Sequence, residues 1–273
     1  MRPDVVLVTG ASSGIGLELV KQLRDRGVKV YAASRNPSYP VSELEKGPGK
    51  IIPVHMDVTI ESDVDTAVAR IVAENGKLDA VVCNAGNGLA GCIEETSVDE
   101  MKYQFETNFF GAAKTVQACL PVFRQQGYGK VMVTSSIAAV VPIPFQAYYS
   151  AGKSALSIFM QALAMETKNF GIQCCTVLPG DTQTAFTATR KYAVQSQRPD
   201  SAYSVKMKKS VSKMEKDEQN GMSPDFIARK MVRQLMKKRM KLTVVPGFQY
   251  KLIYVVIHLI PLRLRLWIIG LLY

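Results

Sequence analysis

An α/β fold, with one doubly wound parallel sheet and a short helical appendix at the C-terminus, is predicted by three features of the sequence. Apolar runs of strand length recur along the chain, helical segments alternate with them, and a glycine-rich turn joins the first strand to the first helix. Strands alternating with helices imply parallel pairing with helices on both faces of the sheet. Strands covered on both faces are continuous apolar runs rather than alternating ones, and these runs are continuous.

Val5 to Thr9 is a β-branched apolar run, followed by the Gly-rich turn and by Leu17 to Arg26 with apolar residues at helical spacing, closed by Gly27. Val28 to Ala33 and Ile51 to Met56 read as the second and third strands, and Asp63 to Glu74 as a helix stopped by Asn75-Gly76. Ala80 to Cys83, Val131 to Thr134 and Gln173 to Leu178 are further strands. Tyr149 to Phe170 lacks proline, carries Ala, Leu, Met and Phe at helical spacing, and reads as a major helix ending at Gly171. Ser223-Pro224 predicts an N-cap and first helical residue, opening a basic helix to about Lys241. Between these helices, Asp181 to Gly221 reads as a polar, irregular, basic connection, which points to a lid.

At 273 residues, with 47% apolar content, the chain fits one α/β domain over residues 1–247 and a C-terminal segment over 248–273. The net charge of +11 is concentrated. Lys206 to Lys241 holds twelve Lys/Arg against four Asp/Glu, a pattern open to a solvated helix face, an anionic lipid surface, an acidic cofactor or nucleic acid. The five cysteines form no CxxC pair and lie far from both histidines, so reduced thiols and no metal site are expected. With a strand beginning within four residues of the N-terminus, no secretory signal and a cytoplasmic location are expected. Leu252 to Leu262 and Leu266 to Tyr273 are apolar but too short to span a bilayer, with a proline and two arginines between them. They suit either an amphipathic pair in a membrane interface, giving peripheral contact, or a flap packed on the substrate mouth or a neighbouring subunit, the latter favoured.

Thr9-Gly10-Ala11-Ser12-Ser13-Gly14-Ile15-Gly16 lies where backbone N–H groups and the helix dipole favour a pyrophosphate. Gly10 lets the chain leave the strand, Gly14 lets the backbone approach phosphates, and Gly16 lets the helix sit close on the sheet. Where an NAD site would carry an acid against the ribose 2′-hydroxyl, this chain has Ser34-Arg35, a pair suited to a 2′-phosphate and hence to NADP(H). Tyr149 and Lys153, four apart, share a helix face, and an ammonium beside a phenol stabilises the phenolate.

With Asn84-Ala85-Gly86, Asn108, Ser136 and Pro179-Gly180 added, the set resembles the short-chain dehydrogenase/reductase family over roughly residues 4 to 245. The resemblance implies a Rossmann-type sheet of about seven parallel strands and a hydride-transfer site. In it Ser136 would bind the substrate oxygen and Tyr149 would exchange the proton. Lys153 would hold the nicotinamide ribose and depress the phenol pKa, and Asn108 would anchor a relay water. It also implies Asp57-Val58 against the adenine, Asn84 and Gly86 near the adenosine ribose, and Pro179-Gly180 with Thr182 or Thr184 around the nicotinamide. Homodimers or homotetramers are implied as well. Gly152, where Ser or Ala is more usual, departs from the pattern and should weaken the helix without touching the chemistry.

Lys29 to Ala32 and Val82 to Leu89 look most like steroid and retinol dehydrogenases, while Pro179 to Thr184 also looks like 3-ketosphinganine reductases. The pocket wall expected from this fold is Leu89, Ile137, Ala138, Val141, Phe145 and Phe186 with the 185–221 lid, leaving Ser136 and Tyr149 as its polar focus. Such a wall suits a lipophilic ketone or secondary alcohol: a hydroxysteroid foremost, a retinoid or a long-chain 3-keto-lipid otherwise. A cofactor-binding sensor without turnover and a nucleic-acid module remain as readings from other classes. The complete Asn108, Ser136, Tyr149 and Lys153 set weighs against the sensor, and nucleic-acid binding would have to be steeply salt-dependent.

Overall fold

The computed structural model describes residues 2–39 and 47–272; of the C-terminal segment only Tyr273 falls outside them. The sheet is built from β1 (Val5–Thr9), β2 (Lys29–Ser34), β3 (Lys50–His55), β4 (Ala80–Cys83), and, after a separate two-residue β5 (Leu89–Ala90), β6 (Gly129–Thr134) and β7 (Ile172–Val177). β8 (Lys191–Tyr192) pairs with β5, and β9 (Thr243–Val244) closes the main sheet. Its order is β3-β2-β1-β4-β6-β7-β9, seven strands, all parallel, as the apolar runs predict. Pro53, which lacks a ladder donor, sits on the edge strand β3.

Alternation along each strand builds two cores. Leu7, Tyr31, Val81, Val131 and Val133 face one layer, where α2 (Glu61–Asn75), α4 (Gly111–Gln126) and α5 (Ala147–Glu166) contribute Ile71, Val116, Phe123 and Leu156. Val6, Val8, Val30, Val82 and Met132 face the other, against Leu19 and Leu23 of α1 (Gly14–Arg24) and Ile227, Met231 and Leu235 of α8 (Pro224–Leu235). Each fully buried Leu, Ile or Phe contributes about 1.5–3 kcal/mol. α3 (Val98–Phe105) opens with a reciprocal capping box between Ser97 and Glu100 and runs into one π-helical turn, Glu106–Phe110. The order in which successive strands are added reverses between β1 and β4, so a crevice opens at their C-terminal ends, where doubly wound sheets place their ligands.

Three expectations need correction. The connection from Asp181 to Gly221 is not irregular: it holds α6 (Phe186–Thr189), β8 and the sixteen-residue α7 (Ser204–Gln219). Met207, Val211 and Met214, at helical spacing among exposed lysines, pack that helix onto Ala90, Phe145 and Tyr192. α8 stops at Leu235, not Lys241, because buried Lys130 donates to the carbonyls of Leu235 (2.6 Å) and Lys237 (2.8 Å) as the chain turns into β9. Its start is as expected, with the Ser223 hydroxyl accepting from Phe226 N–H. The apolar tail forms α9 (Phe248–Leu259) and α10 (Leu262–Leu272), which do not cover the substrate mouth: most of their described apolar side chains are exposed, and among these only Tyr250, Ile257 and Ile269 are buried. Among the described residues no helix is long and apolar enough to cross a membrane.

Candidate functional site

A cleft of about 740 Å³ lies at the reversal point. The loop after β1 forms one wall. Gly10 (φ +62°) and Gly14 (φ +52°) occupy left-handed backbone, and a Cβ on Gly10 would sit 2.7 Å from Ala85 Cα. Gly16 lies behind the wall, where a Cβ would meet the Gly10 carbonyl at 2.1 Å, so helix and strand touch only because it is glycine. Ser12, Ser13, Gly14 and Ile15 line the cleft at the N-terminus of α1, and Ser13 makes no side-chain cap there. Ser34 and Arg35 line it from the end of β2; Ser34 Oγ is buried with no hydrogen-bond partner, while Arg35 is exposed.

Asp57 and Val58 follow β3 into the same cleft. Asp57 Oδ1 accepts from the N–H (2.9 Å) and hydroxyl (2.8 Å) of Thr59, so this carboxylate shapes its own turn. Asn84 is likewise engaged by the protein. Its amide donates to the carbonyls of Thr9 (3.3 Å) and Gly10 (3.2 Å) and accepts from Thr134 Oγ1 (3.0 Å), tying β1, β4 and β6 together beneath the cleft. Gly86 leaves open floor: a Cβ there would stand 2.9 Å from Asn108 Oδ1 and 3.6 Å from Lys153 Nζ.

Asn108 projects from the π-helical turn, a distortion frequent at functional sites. Its amide donates to Asn87 O (2.9 Å), Asn87 Oδ1 (2.7 Å) and Gln104 O (3.0 Å), and its oxygen accepts from Asn87 N–H (3.3 Å). Lys153, 4% exposed, donates to the Thr134 carbonyl at 2.9 Å, with its Nζ 5.8 Å from the Tyr149 ring centroid. Ser136 caps the 3₁₀ turn Ile137–Ala139, its hydroxyl accepting from Ala138 N–H (3.1 Å) and lying close enough to the Tyr149 phenol to lower its pKa. Tyr149 is half-open to the cleft, on the first turn of α5, and its ring meets Phe186 at 5.5 Å.

The electrostatics differ from the sequence expectation. The phenol of Tyr149 is pushed up to about 12, chiefly by burial; the Ser136 hydrogen bond lowers it, Glu218 and Asp181 raise it further, and Arg190 opposes them. Burial also pushes the Lys153 ammonium down to about 8. Burial thus acts on both groups at once, raising the phenol and lowering the ammonium beside it.

Four expected wall residues do not line the cleft. Leu89 is committed to β5, buried under the pairing with β8; Ala138 is buried in the 3₁₀ turn; Val141 continues that turn; Phe145 packs on α7. Ile137 and Phe186 do line it, as do Pro179, Gly180, Thr182 and Thr184. Phe145 instead has a backbone role: at φ 62° it is the one non-glycine among the described residues with positive φ, and it turns the chain directly into Gln146 and α5.

Sequence reasoning missed a second layer. Arg190, its side chain fully buried, pairs with Glu218, and its guanidinium stacks 5.6 Å from Phe186. With its amide turned to face that guanidinium, Gln146 accepts from Arg190 Nε at 3.2 Å. Thr187 also donates to Glu218 (2.6 Å), so α6 is latched to α7 beside Tyr149. Tyr250 of α9 packs beneath Gly180, where a Cβ would fall 2.1 Å from its ring, and donates to Asp181 Oδ2 at 2.7 Å. Asn87, three residues from Asn84 in the quoted Asn-Ala-Gly stretch, was within reach of the sequence; the other contacts join residues too far apart in the chain to be seen.

The cradle fits a nicotinamide dinucleotide: Cβ-free backbone at Gly10, Gly14 and Gly86, an open helix N-terminus, and the unpartnered Ser34 hydroxyl at the far end. Residues 4–194 match the short chain dehydrogenase family. The chain is 38% identical over 225 residues, 82% of its length and 80% of the relative's, to a 3-ketodihydrosphingosine reductase of Bacteroides thetaiotaomicron. It is 34% identical over 195 residues, 68% of its length and 56% of the relative's, to mouse 17-beta-hydroxysteroid dehydrogenase type 1. A short-chain dehydrogenase of Streptomyces avermitilis superposes with a TM-score of 0.80 at 27% identity, covering 94% of this chain and 93% of the other. More distant structures of the same fold hold NADH, in a Brucella melitensis reductase (TM-score 0.74, 23% identical, 90% and 98% covered), and 5-hydroxy-NADP, in a Thermococcus sibiricus alcohol dehydrogenase (TM-score 0.70, 22% identical, 89% and 95% covered). The chain thus belongs to the short-chain dehydrogenase family of oxidoreductases.

Proposed function

We propose that the protein is an NADP(H)-dependent reductase of a keto group on a lipophilic substrate, best matched by a long-chain 3-keto-lipid. The reading is carried by one observation: Ser136, Tyr149 and Lys153 line one cleft together with the apolar Ile137, Ile143 and Phe186. The bound cofactor would supply the hydride. Tyr149, held protonated by burial, would donate its proton to the carbonyl oxygen, and the Ser136 hydroxyl would donate a hydrogen bond to the same oxygen. Lys153, fixed on the Thr134 carbonyl, would stabilise the phenolate left behind, and the Asn108–Asn87 pair would hold the floor on which the relay rests. Ser34 and Arg35 would bind the 2′-phosphate that distinguishes NADPH from NADH.

Likeness to the sphingolipid reductase, the longer and more identical of the two matches, favours the 3-keto-lipid. Likeness to the steroid dehydrogenase favours a hydroxysteroid as second reading. The test is nicotinamide absorbance with NADPH or NADH against 3-ketosphinganine, ketosteroids and retinal. NADPH oxidation on the keto-lipid, lost in Tyr149→Phe and shifted toward NADH in Arg35→Ala, is expected. Oxidation on the steroid alone moves the assignment to the second reading, and an active Tyr149→Phe overturns the mechanism.

A further inference from the structure

The C-terminal helix pair is apolar around most of its circumference yet largely uncovered. Of 22 exposed large apolar side chains among the described residues, twelve lie between Phe248 and Leu271, including Leu259 (77%), Trp267 (63%) and Leu271 (68%). A helix apolar all round belongs in an apolar medium. α9 and α10, at twelve and eleven residues, are too short to cross a bilayer, which takes about 20. Between Phe248 and Leu272 there is no acidic residue, while Lys251, Arg263 and Arg265 are cationic. A second copy of this chain seated on the same face would bring these cations together with no carboxylate in the segment to answer them. Anionic headgroups answer the exposed Lys251 and Arg263, while Arg265 is partly buried against α9.

The position of the pair matters as much as its composition. α9 leaves the C-terminal end of β9, the same end of the sheet as the cleft, and Tyr250 fastens it beneath Gly180 and Asp181, both of which line that cleft. Arg265 donates to the Ile257 carbonyl (3.3 Å), holding α10 to α9. The basic run Lys237 to Lys241 precedes β9 and so lies at the opposite pole. We propose that α9 and α10 lie flat in the interface of an anionic membrane, their aliphatic side chains in the acyl region, and so set the mouth of the cleft against the lipid. This surface is inferred independently of the substrate assigned above.

Trp267 is the sole tryptophan, so its emission reports on this face without labelling. Full-length protein is titrated with phosphatidylcholine vesicles, with and without phosphatidylglycerol, and followed by fluorescence and co-sedimentation. A blue shift and co-sedimentation specific to the anionic vesicles are expected. Lys251→Gln with Arg263→Gln should weaken partitioning by roughly fivefold per charge. Leu259→Glu with Leu271→Glu should abolish it while leaving the far-UV spectrum, and turnover of a water-soluble ketone, unchanged. Equal binding to neutral vesicles, or none by the wild type, overturns the proposal. So does a blue shift without lipid that grows with protein concentration alongside a dimer mass, which would assign the face to a second copy.

Discussion

Lys153→Met separates the charge on the buried lysine from its packing. Methionine keeps much of the stem's volume but cannot ionise. Burial lowers the ammonium from its ordinary 10.5 to about 8, equivalent to roughly 3 kcal/mol of destabilisation while the group is charged in the folded protein. The sign follows from proton counting. Between pH 8 and 10.5 the unfolded chain binds the proton and the folded chain does not, so the penalty is complete below about 8 and fades as pH rises. From pH 7 to pH 10 the wild type should gain about 2.5 kcal/mol relative to Lys153→Met.

Other effects cancel in that difference. The variant leaves the Thr134 carbonyl without its donor, at a cost of about 1–3 kcal/mol that does not depend on pH. Tyr149, raised to about 12, and Cys83 and Cys175, also raised to about 12, lower stability as pH climbs past their ordinary values, but they do so in both proteins. The assay is urea unfolding followed by far-UV dichroism, without dinucleotide, at pH 7 and pH 10. A stability difference equal at the two values, within about 0.5 kcal/mol, would refute the claim that Lys153 is buried as a charge at neutral pH.

Glu218→Ala leaves the fully buried Arg190 guanidinium with only Glu215, at 3.8 Å, and Gln146; a loss of about 2–3 kcal/mol, or roughly 4–12 °C in Tm, is expected by thermal unfolding. Because Glu218 raises the Tyr149 pKa, the same variant should move the alkaline limb of the reduction profile to lower pH. Gly152→Ala should stabilise by about 0.5–1 kcal/mol with turnover unchanged, since the added Cβ meets only Asn108 Cβ at 4.0 Å; denaturant midpoints check it. Gly180→Ala forces the Tyr250 ring aside, and limited proteolysis should then cut α9 faster, with about 1–3 kcal/mol lost overall.

The sheet was legible because its signal is local. Buried parallel strands are continuous apolar runs, and glycine at positions 10, 14 and 16 is demanded by φ or by contacts within a few residues. The residues placed at strand ends and on one helix face, Ser34, Asn108, Ser136, Tyr149 and Lys153, also gather where those elements carry them. The wall was less legible because its residues are chosen by pairing across the chain. Leu89 and Ala90 are turned inward by β8, about a hundred residues away, and Phe145 by α7. α7 itself was hidden by composition: three buried apolar residues hold sixteen, and lysines fill the exposed face between them. The surroundings of Tyr149 were less legible for a related reason. A Tyr-x-x-x-Lys spacing shows a neighbouring cation, but not the desolvation that acts on both groups at once.

Several unfavourable features gather at the cleft. The left-handed Phe145, the Ser34 Oγ and Gln104 Oε1 atoms without a hydrogen-bond partner, and the desolvated Lys153 all lie in or directly behind the cleft, while Ser210 Oγ on α7 and Arg265 Nε on α10 are buried without one elsewhere. The two cores flanking the sheet are, by contrast, saturated with apolar contacts. Such concentration is what a site made for a charged ligand requires, because groups that would bind it must be left incompletely satisfied until it arrives. The α6–α7 layer shows the same division. Arg190 and Glu218 neutralise each other as α6 and α7 pack beside Tyr149, and their effects on the phenol are of opposite sign. The phenol is then held above its ordinary value chiefly by burial, with the Ser136 hydroxyl opposing it, so the neighbouring Lys153 is the group placed to stabilise the phenolate.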